Sequence, residues 1–269
     1  MSRVVLRISA GFLVGALVLL ATALWLSDYY LDEGRRLSAA GDVQGAIDAS
    51  RTAARFDPFG TEALETQSSL FEQEGRYEHA AAALREAIER DPHNYIPYLM
   101  LGNLQLNALD ELDAAAESYR NVLRLNPKEG SVREALAQVL IEQGKLGEAR
   151  DEYEMLREEQ ELSFLGLYDL GRIYVRTGQP RDGLQAIKRA RGRAQNGLDE
   201  LEGPLKNARE KLLASMQLAI ADALVVEGRY ARAREIIQQS SSPQAPALLQ
   251  LLDSSPEAYR ESVLTSEIY

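Results

Sequence analysis

Phe59–His93 reads FGTEALETQSSLFEQEGRYEHAAAALREAIERDPH, and its punctuation decides the fold. Ser68 and Ala80 are small and twelve residues apart, with Gly75 between them. Phe71 and Leu84 are large apolar groups at helical spacing from them, one on each side of the glycine. Glycine takes a left-handed backbone without steric cost, so Gly75 turns the chain. Proline lacks an N–H and disfavours a helical predecessor, so Asp91-Pro92 closes the second helix. The stretch is a helix, a glycine turn, a second helix and a stop.

The same punctuation extends in both directions. Turn glycines stand at Gly41, Gly75, Gly144, Gly178 and Gly228, spaced by 34, 69, 34 and 50 residues. Pro58, Pro92 and Pro127 follow at 34 and 35, each after an Asp or Asn. On this frame Gly34, Ser68, Gly102, Ala137, Gly171 and Ala221 fall in first helices. Their partners in second helices are Ala46, Ala80, Ala115, Ala149, Gly183 and Ala233. Each pair is twelve apart except the third, at thirteen. Helix axes that approach to about 8 Å leave no room for bulk at the crossing, so small residues there are a steric requirement. Leu37, Phe71, Leu140, Tyr174 and Leu224 before the turns, and Leu84, Tyr119, Tyr153, Ile187 and Ile237 after them, are expected to fill the seams.

These residues resemble the tetratricopeptide repeat, a 34-residue hairpin of antiparallel helices, over roughly residues 27 to 240. The resemblance implies an all-α fold, a right-handed superhelical solenoid of six hairpins at 28–60, 61–94, 95–129, 130–162, 163–196 and 197–241. Residues 242–269 are expected to form two capping helices, with Ser255 as N-cap and Pro256 at the first helical position. Several units depart from the pattern. Glu33, Ser50, Gln67 and Gln217 occupy core slots, Arg133 stands near the start of the fourth unit, and the third turn reads Leu109-Asp110-Glu111-Leu112 with one extra residue and no glycine. About sixteen residues are inserted before the sixth unit, whose first helix should extend from about Pro204 to Glu227.

Residues 1–27 read as a membrane anchor. Ile8–Leu26 is nineteen residues without a charge. As a helix at about 1.5 Å per residue it nearly matches a hydrocarbon core of about 30 Å. Trp25, Tyr29 and Tyr30 fit an aromatic interface belt, and Arg3 and Arg7 lean the N-terminus towards the cytoplasm. The repeats then lie on the extracytoplasmic side of a single-pass bacterial membrane protein. A cleaved secretory signal is the rival, with Ala21-Thr22-Ala23 as its processing site, but the apolar run is longer than such signals use. Gly11 and Gly15 form a small-xxx-small pair, which is either packing filler or the seam of a homodimer.

Composition narrows the chemistry. Forty-one acidic residues against 30 basic ones give a net charge of −11, so nucleic acid is an unsuited partner. There is no cysteine, and the two histidines, His79 and His93, are too far apart in sequence for a helical zinc motif. Gly144-Lys145 lacks the rest of a phosphate loop. Neither a catalytic residue, a cofactor nor a metal is expected.

In a repeat array the resemblance implies that first helices present a stripe to a concave groove. Here it runs through Ile96, Leu99, Asn103 and Leu106, then Ser131, Glu134, Gln138 and Ile141, then Leu165, Tyr168, Arg172 and Val175. Leu99, Asn103, Leu106, Gln138, Tyr168, Arg172 and Val175 are the residues expected to hold a peptide or partner protein. Asn103 would bond a peptide backbone and Arg172 a carboxylate. Asp28, Leu31, Arg35, Glu62, Glu65, Ser69 and Glu72 form a more acidic surface nearer the membrane. The expected function is a non-catalytic scaffold. Trp25 to Glu129 also looks like the tail of O-antigen-ligase-type proteins, which implies the alternative of an accessory role in cell-surface polysaccharide assembly or envelope secretion.

Overall fold

The computed structural model describes residues 3–159, 161–266 and 268, with side chains from Gly11 onward, so the side chains of Arg3 and Arg7 lie outside the described residues. Among these residues there are fourteen α-helices, one short 3-10 turn at Leu198–Glu200 and no strand. The all-α expectation holds. The chain divides into two compact units, Met1–Pro127 and Lys128–Tyr269.

The first unit contains α1 (Arg3–Ala39), α2 (Val43–Phe56), α3 (Glu62–Gln73), α4 (Tyr77–Arg90), α5 (Tyr95–Asn107) and α6 (Leu112–Leu125). The second contains α7 (Gly130–Glu142), α8 (Leu146–Glu158), α9 (Phe164–Arg176), α10 (Pro180–Gln195), α11 (Gly203–Val226), α12 (Tyr230–Gln238), α13 (Ala245–Ser254) and α14 (Pro256–Thr265). Consecutive helices pair as hairpins, and neighbouring hairpins stack within each unit.

Each turn glycine has a positive φ, from 69° at Gly75 to 84° at Gly41. The reversal brings the next N–H back onto the helix just ended, as in Arg76 N to Phe71 O at 2.8 Å and Lys145 N to Leu140 O at 2.8 Å. The third turn does the same without glycine. Asp110 takes φ 57°, a left-handed conformation that aspartate tolerates better than most residues.

The crossings are as tight as the small residues require. Ala46, Ala80, Ala115, Ala137, Ala149, Ala221 and Ala233 are fully buried. At the α9–α10 crossing a Cβ on Gly171 would stand 3.0 Å from Gly183 O, and one on Gly183 would stand 2.6 Å from Gly171 O. Backbone meets backbone there, so no rotamer can relieve an added methyl.

Most of the polar residues in core slots find local solutions, and Ser50 does not. Gln67 donates to Ala63 O, Gln217 to Ile236 O at 3.1 Å, and Arg133 pairs with Glu152 at 2.7 Å. Ser50 is fully buried, and among the described residues its hydroxyl has no hydrogen-bond partner.

Across the boundary drawn at residues 27/28, α1 runs unbroken from the apolar segment into the first repeat and packs along α2. No turn glycine or proline interrupts Ser27–Ala39, and packing on α2 sustains the helix. At the other end two helices form within 242–269, with Ser255 Oγ accepting from Ala258 N at the start of α14; α13 stacks on α12, and α14 turns back to lie against α11 and α9, the first helices of their hairpins. Buried Tyr259 and Val263 seat it, Tyr259 OH donates to Asp222 at 2.8 Å, and Arg260 bonds Val226 O. Beyond the helix, Arg176 donates to Ser266 O at 3.0 Å, and Ile268 is buried.

Candidate functional site

In the first unit the stripe lies on α5. Successive spacings of three, four and three put Ile96, Leu99, Asn103 and Leu106 on one helical face. Ile96 is 41% exposed, Asn103 is exposed, and Leu99 and Leu106 are half-buried, so their outer edges remain accessible. Tyr119 OH, from α6, donates to Asn103 Oδ1 at 2.9 Å and fixes the amide. Burial pushes the Tyr119 phenol up to about 12.

Beside this stripe α3 and α1 carry acids. Arg35 bridges Asp32 and Glu62, at 2.8 and 2.6 Å, and Asn94 donates to Glu65 at 3.2 Å. Glu65 and Glu72 are half-buried, and Ser69 and Asp28 are exposed. Leu31 is a correction: it is buried against Ala53, Ala63 and Leu64, on the seam side of α1 rather than the open surface.

The stripe in the second unit is partly enclosed, with Ile141, Tyr168 and Val175 buried. Ser131 and Leu165 are exposed, Gln138 is half-buried, and Glu134 accepts from Ser163. Tyr168 is only 9% exposed, with the Arg172 guanidinium 5.2 Å from its ring centroid and Arg172 3.6 Å from the Asp169 carboxylate. Arg172 is therefore already engaged within its own helix. Val175 is a correction: at 1% exposure it packs where Gly183 would carry a Cβ, 2.6 Å away, so it belongs to the α9–α10 crossing and presents nothing to a groove.

The enclosure comes from residues that the sequence pattern did not single out. Asp169, Arg176, Asp222 and Tyr259 gather where α14 meets α9 and α11. Burial pushes the Asp222 carboxyl above its ordinary range, opposed by the Tyr259 hydroxyl and by Arg176 and Arg172. Desolvation lowers Arg176 and raises Tyr168. A cavity of about 350 Å³ remains beside the C-terminal segment, lined by Ile141, Gly144, Leu146, Arg176, Leu264 and Ile268. The only sequence signal for this cluster was Asp222, the one charged residue in the second half of α11.

Away from the stripes, Gly11 and Gly15 lie on an exposed face of α1, and no described residue comes within 4 Å of where a Cβ on either would stand. Thr22 bonds Val18 O at 2.8 Å and so satisfies itself. His79 stands against Phe71 with centroids 5.4 Å apart, and His93 N donates to Asp91 in a loop. Among the described residues no group of three or more His, Cys, Asp or Glu is placed to hold a metal.

Residues 31–95, 99–161 and 168–246 match the sequence profile of the tetratricopeptide repeat. Solved structures agree in fold. The MamA protein superposes with a TM-score of 0.56 at 21% identity, over 66% of this chain and 97% of that one. MamA from Desulfovibrio magneticus RS-1, residue 41 to its end, gives 0.53 at 14% identity over 63% and 97%. YrrB, described as a TPR protein with an unusual peptide-binding site, gives 0.51 at 19% identity over 60% and 82%.

Proposed function

This chain belongs to the tetratricopeptide repeat family, and on that premise we propose that it is a non-catalytic scaffold, held at a membrane by α1, that docks a partner protein on the first-helix face of its first unit. One observation carries the reading. The α5 stripe combines accessible apolar edges at Ile96, Leu99 and Leu106 with a fixed, exposed amide at Asn103, beside the acids of α3. An extended or helical segment with apolar and basic side chains matches that surface in shape class and charge. YrrB, of the same fold, is described as having a peptide-binding site, which supports a peptide or protein partner here. Gln138, Tyr168 and Arg172 belong to a second surface in the other unit, which a partner reaches only where α14 leaves it open.

The apolar segment supports the anchor. Among the described residues one helix is long and apolar enough to cross a membrane, and its apolar window is almost entirely unburied by protein. The terminal amine, Arg3 and Arg7 before the span against Arg35 and Arg36 after it lean slightly towards an extracytoplasmic location for the repeats, and pairing of two chains through Gly11 and Gly15 is a further reading of the same helix.

The test is affinity capture of the full chain from detergent-solubilised native membranes, with Leu99→Glu/Asn103→Ala as the comparison. A stoichiometric protein partner should be captured by the unaltered chain and lost at least about tenfold with the variant, at unchanged helicity. Equal capture by both refutes this docking face. Polysaccharide-assembly enzymes in the eluate would instead favour the glycan-assembly alternative.

A further inference from the structure

The first hairpin returns to the end of the apolar segment. Ser27 Oγ bonds Ala53 O at 3.1 Å, and a Cβ on Gly34 would lie 3.4 Å from Ala46 O. In both pairs the two residue numbers add to the same total, as antiparallel helices in one register require. Extending that register sets Phe56, the last residue of α2, level with Leu24. The apolar run of α1 ends at Leu26. The bottom of α2 therefore stands at the height where the apolar helix meets its polar continuation.

An aromatic ladder marks that level. Trp25 stacks on Tyr29 at 6.0 Å, Tyr29 meets Tyr30 edge-on at 5.5 Å, and Tyr30 stacks on Phe56 at 5.8 Å and 6°. Trp25 and Tyr29 stay 63% and 49% exposed. Phe59, in the loop that follows, is 78% exposed, although a large apolar ring loses free energy in water. Nor is that loop slack. Asp57 Oδ1 accepts from Phe59 N and Gly60 N, and Arg90 Nη1 gathers Ala54 O, Asp57 O and Gly60 O at 3.0 to 3.3 Å. These contacts hold the loop backbone from which the exposed ring projects. Arg55, in the last turn of α2, is exposed at the same end.

We propose that this edge of the first unit is a membrane seat: Phe59, with Trp25 and Tyr29, enters the headgroup boundary of the bilayer that α1 crosses. Aromatic rings favour that boundary, and a long arginine beside them reaches phosphate oxygens while its stem stays apolar. Two points of attachment, a span and a loop, stop the unit from swivelling about α1, and they fix which way the α5 stripe faces above the lipid. The inference rests on the anchor reading and adds to it the loop contact and the orientation.

The full chain reconstituted in vesicles with brominated phospholipids tests it. The unaltered protein has a single tryptophan, Trp25, and so reports on the anchor alone. Trp25→Phe/Phe59→Trp then reports on the loop. Trp25→Phe/Tyr77→Trp is the control, because Tyr77 is 41% exposed at the opposite, glycine-turn edge of the same unit. Bromolipid should quench the indole at position 59 at least about twofold more than that at position 77, with bluer emission. If Trp25 is quenched while positions 59 and 77 behave alike, the seat is overturned and the anchor stands. If Trp25 itself is not quenched, α1 does not insert and the seat falls with it.

Discussion

Gly183→Ala should destabilise the second unit, whereas Gly192→Ala, nine residues along the same helix, should stabilise it. Both changes add one methyl to α10, and alanine is intrinsically better in a helix than glycine by about 1 kcal/mol. The surroundings reverse the sign. At Gly183 the new Cβ would lie 2.6 Å from Gly171 O, 2.6 Å from Val175 Cγ2 and 3.1 Å from Val175 N, where ordinary contact begins at 3.4 Å. Val175 can turn its methyl, but the two backbone atoms move only if α9 and α10 separate. Forcing a methylene into a packed core costs about 1–3 kcal/mol, and contact with main chain belongs at the upper end. The net loss is about 1–2 kcal/mol, a fall of roughly 2–8 °C in Tm for a domain of this size. At Gly192 no described residue lies within 4 Å of the new Cβ, so the propensity gain should appear as a rise of roughly 2–4 °C. Thermal melting followed by circular dichroism reads both. Amide exchange over α9 and α10 checks that the loss is local, since repeat arrays open unit by unit. The reasoning fails if the two variants shift Tm in the same direction.

Asp110→Gly removes a left-handed aspartate from the third turn, and relief of that strain should outweigh the added unfolded-state freedom by up to about 1 kcal/mol, seen as a higher Tm. Burial raises Tyr119 and Tyr174 to about 12, with a hydrogen bond to Glu154 adding to the effect on Tyr174. Because both folded values lie above the ordinary phenol value, their contribution is fully present below about pH 10 and is lost as pH rises through about 12. Melting temperatures between about pH 8 and pH 12 should therefore fall less steeply above pH 10 for Tyr119→Phe/Tyr174→Phe than for the unaltered chain; parallel profiles would contradict the assignment.

The features legible in the sequence are those a hairpin decides within itself. Gly75 and its counterparts had to turn, Asp91-Pro92 had to stop a helix, and pairs such as Gly171 and Gly183 had to be small, because each depends on partners within one repeat length. The α5 stripe was legible for the same reason, since spacing alone puts Ile96, Leu99, Asn103 and Leu106 on one face. Val175 and Leu31 were misjudged because a helical stripe has two edges, and the rotation of the helix against its neighbour decides which edge is covered.

The sequence by itself determined the repeat: its length, turns, crossings and apolar first segment. Tertiary structure alone decided where the ends go. Arg176 meets Ser266 across ninety residues, and Tyr259 finds Asp222 across 37, through contacts that no periodic pattern encodes. Likewise the level of Phe59 depends on the register between α1 and α2. Local periodicity fixes each hairpin because its partners are near in the chain, whereas the seating of α14 and the loop depends on the surface that the stacked hairpins jointly create.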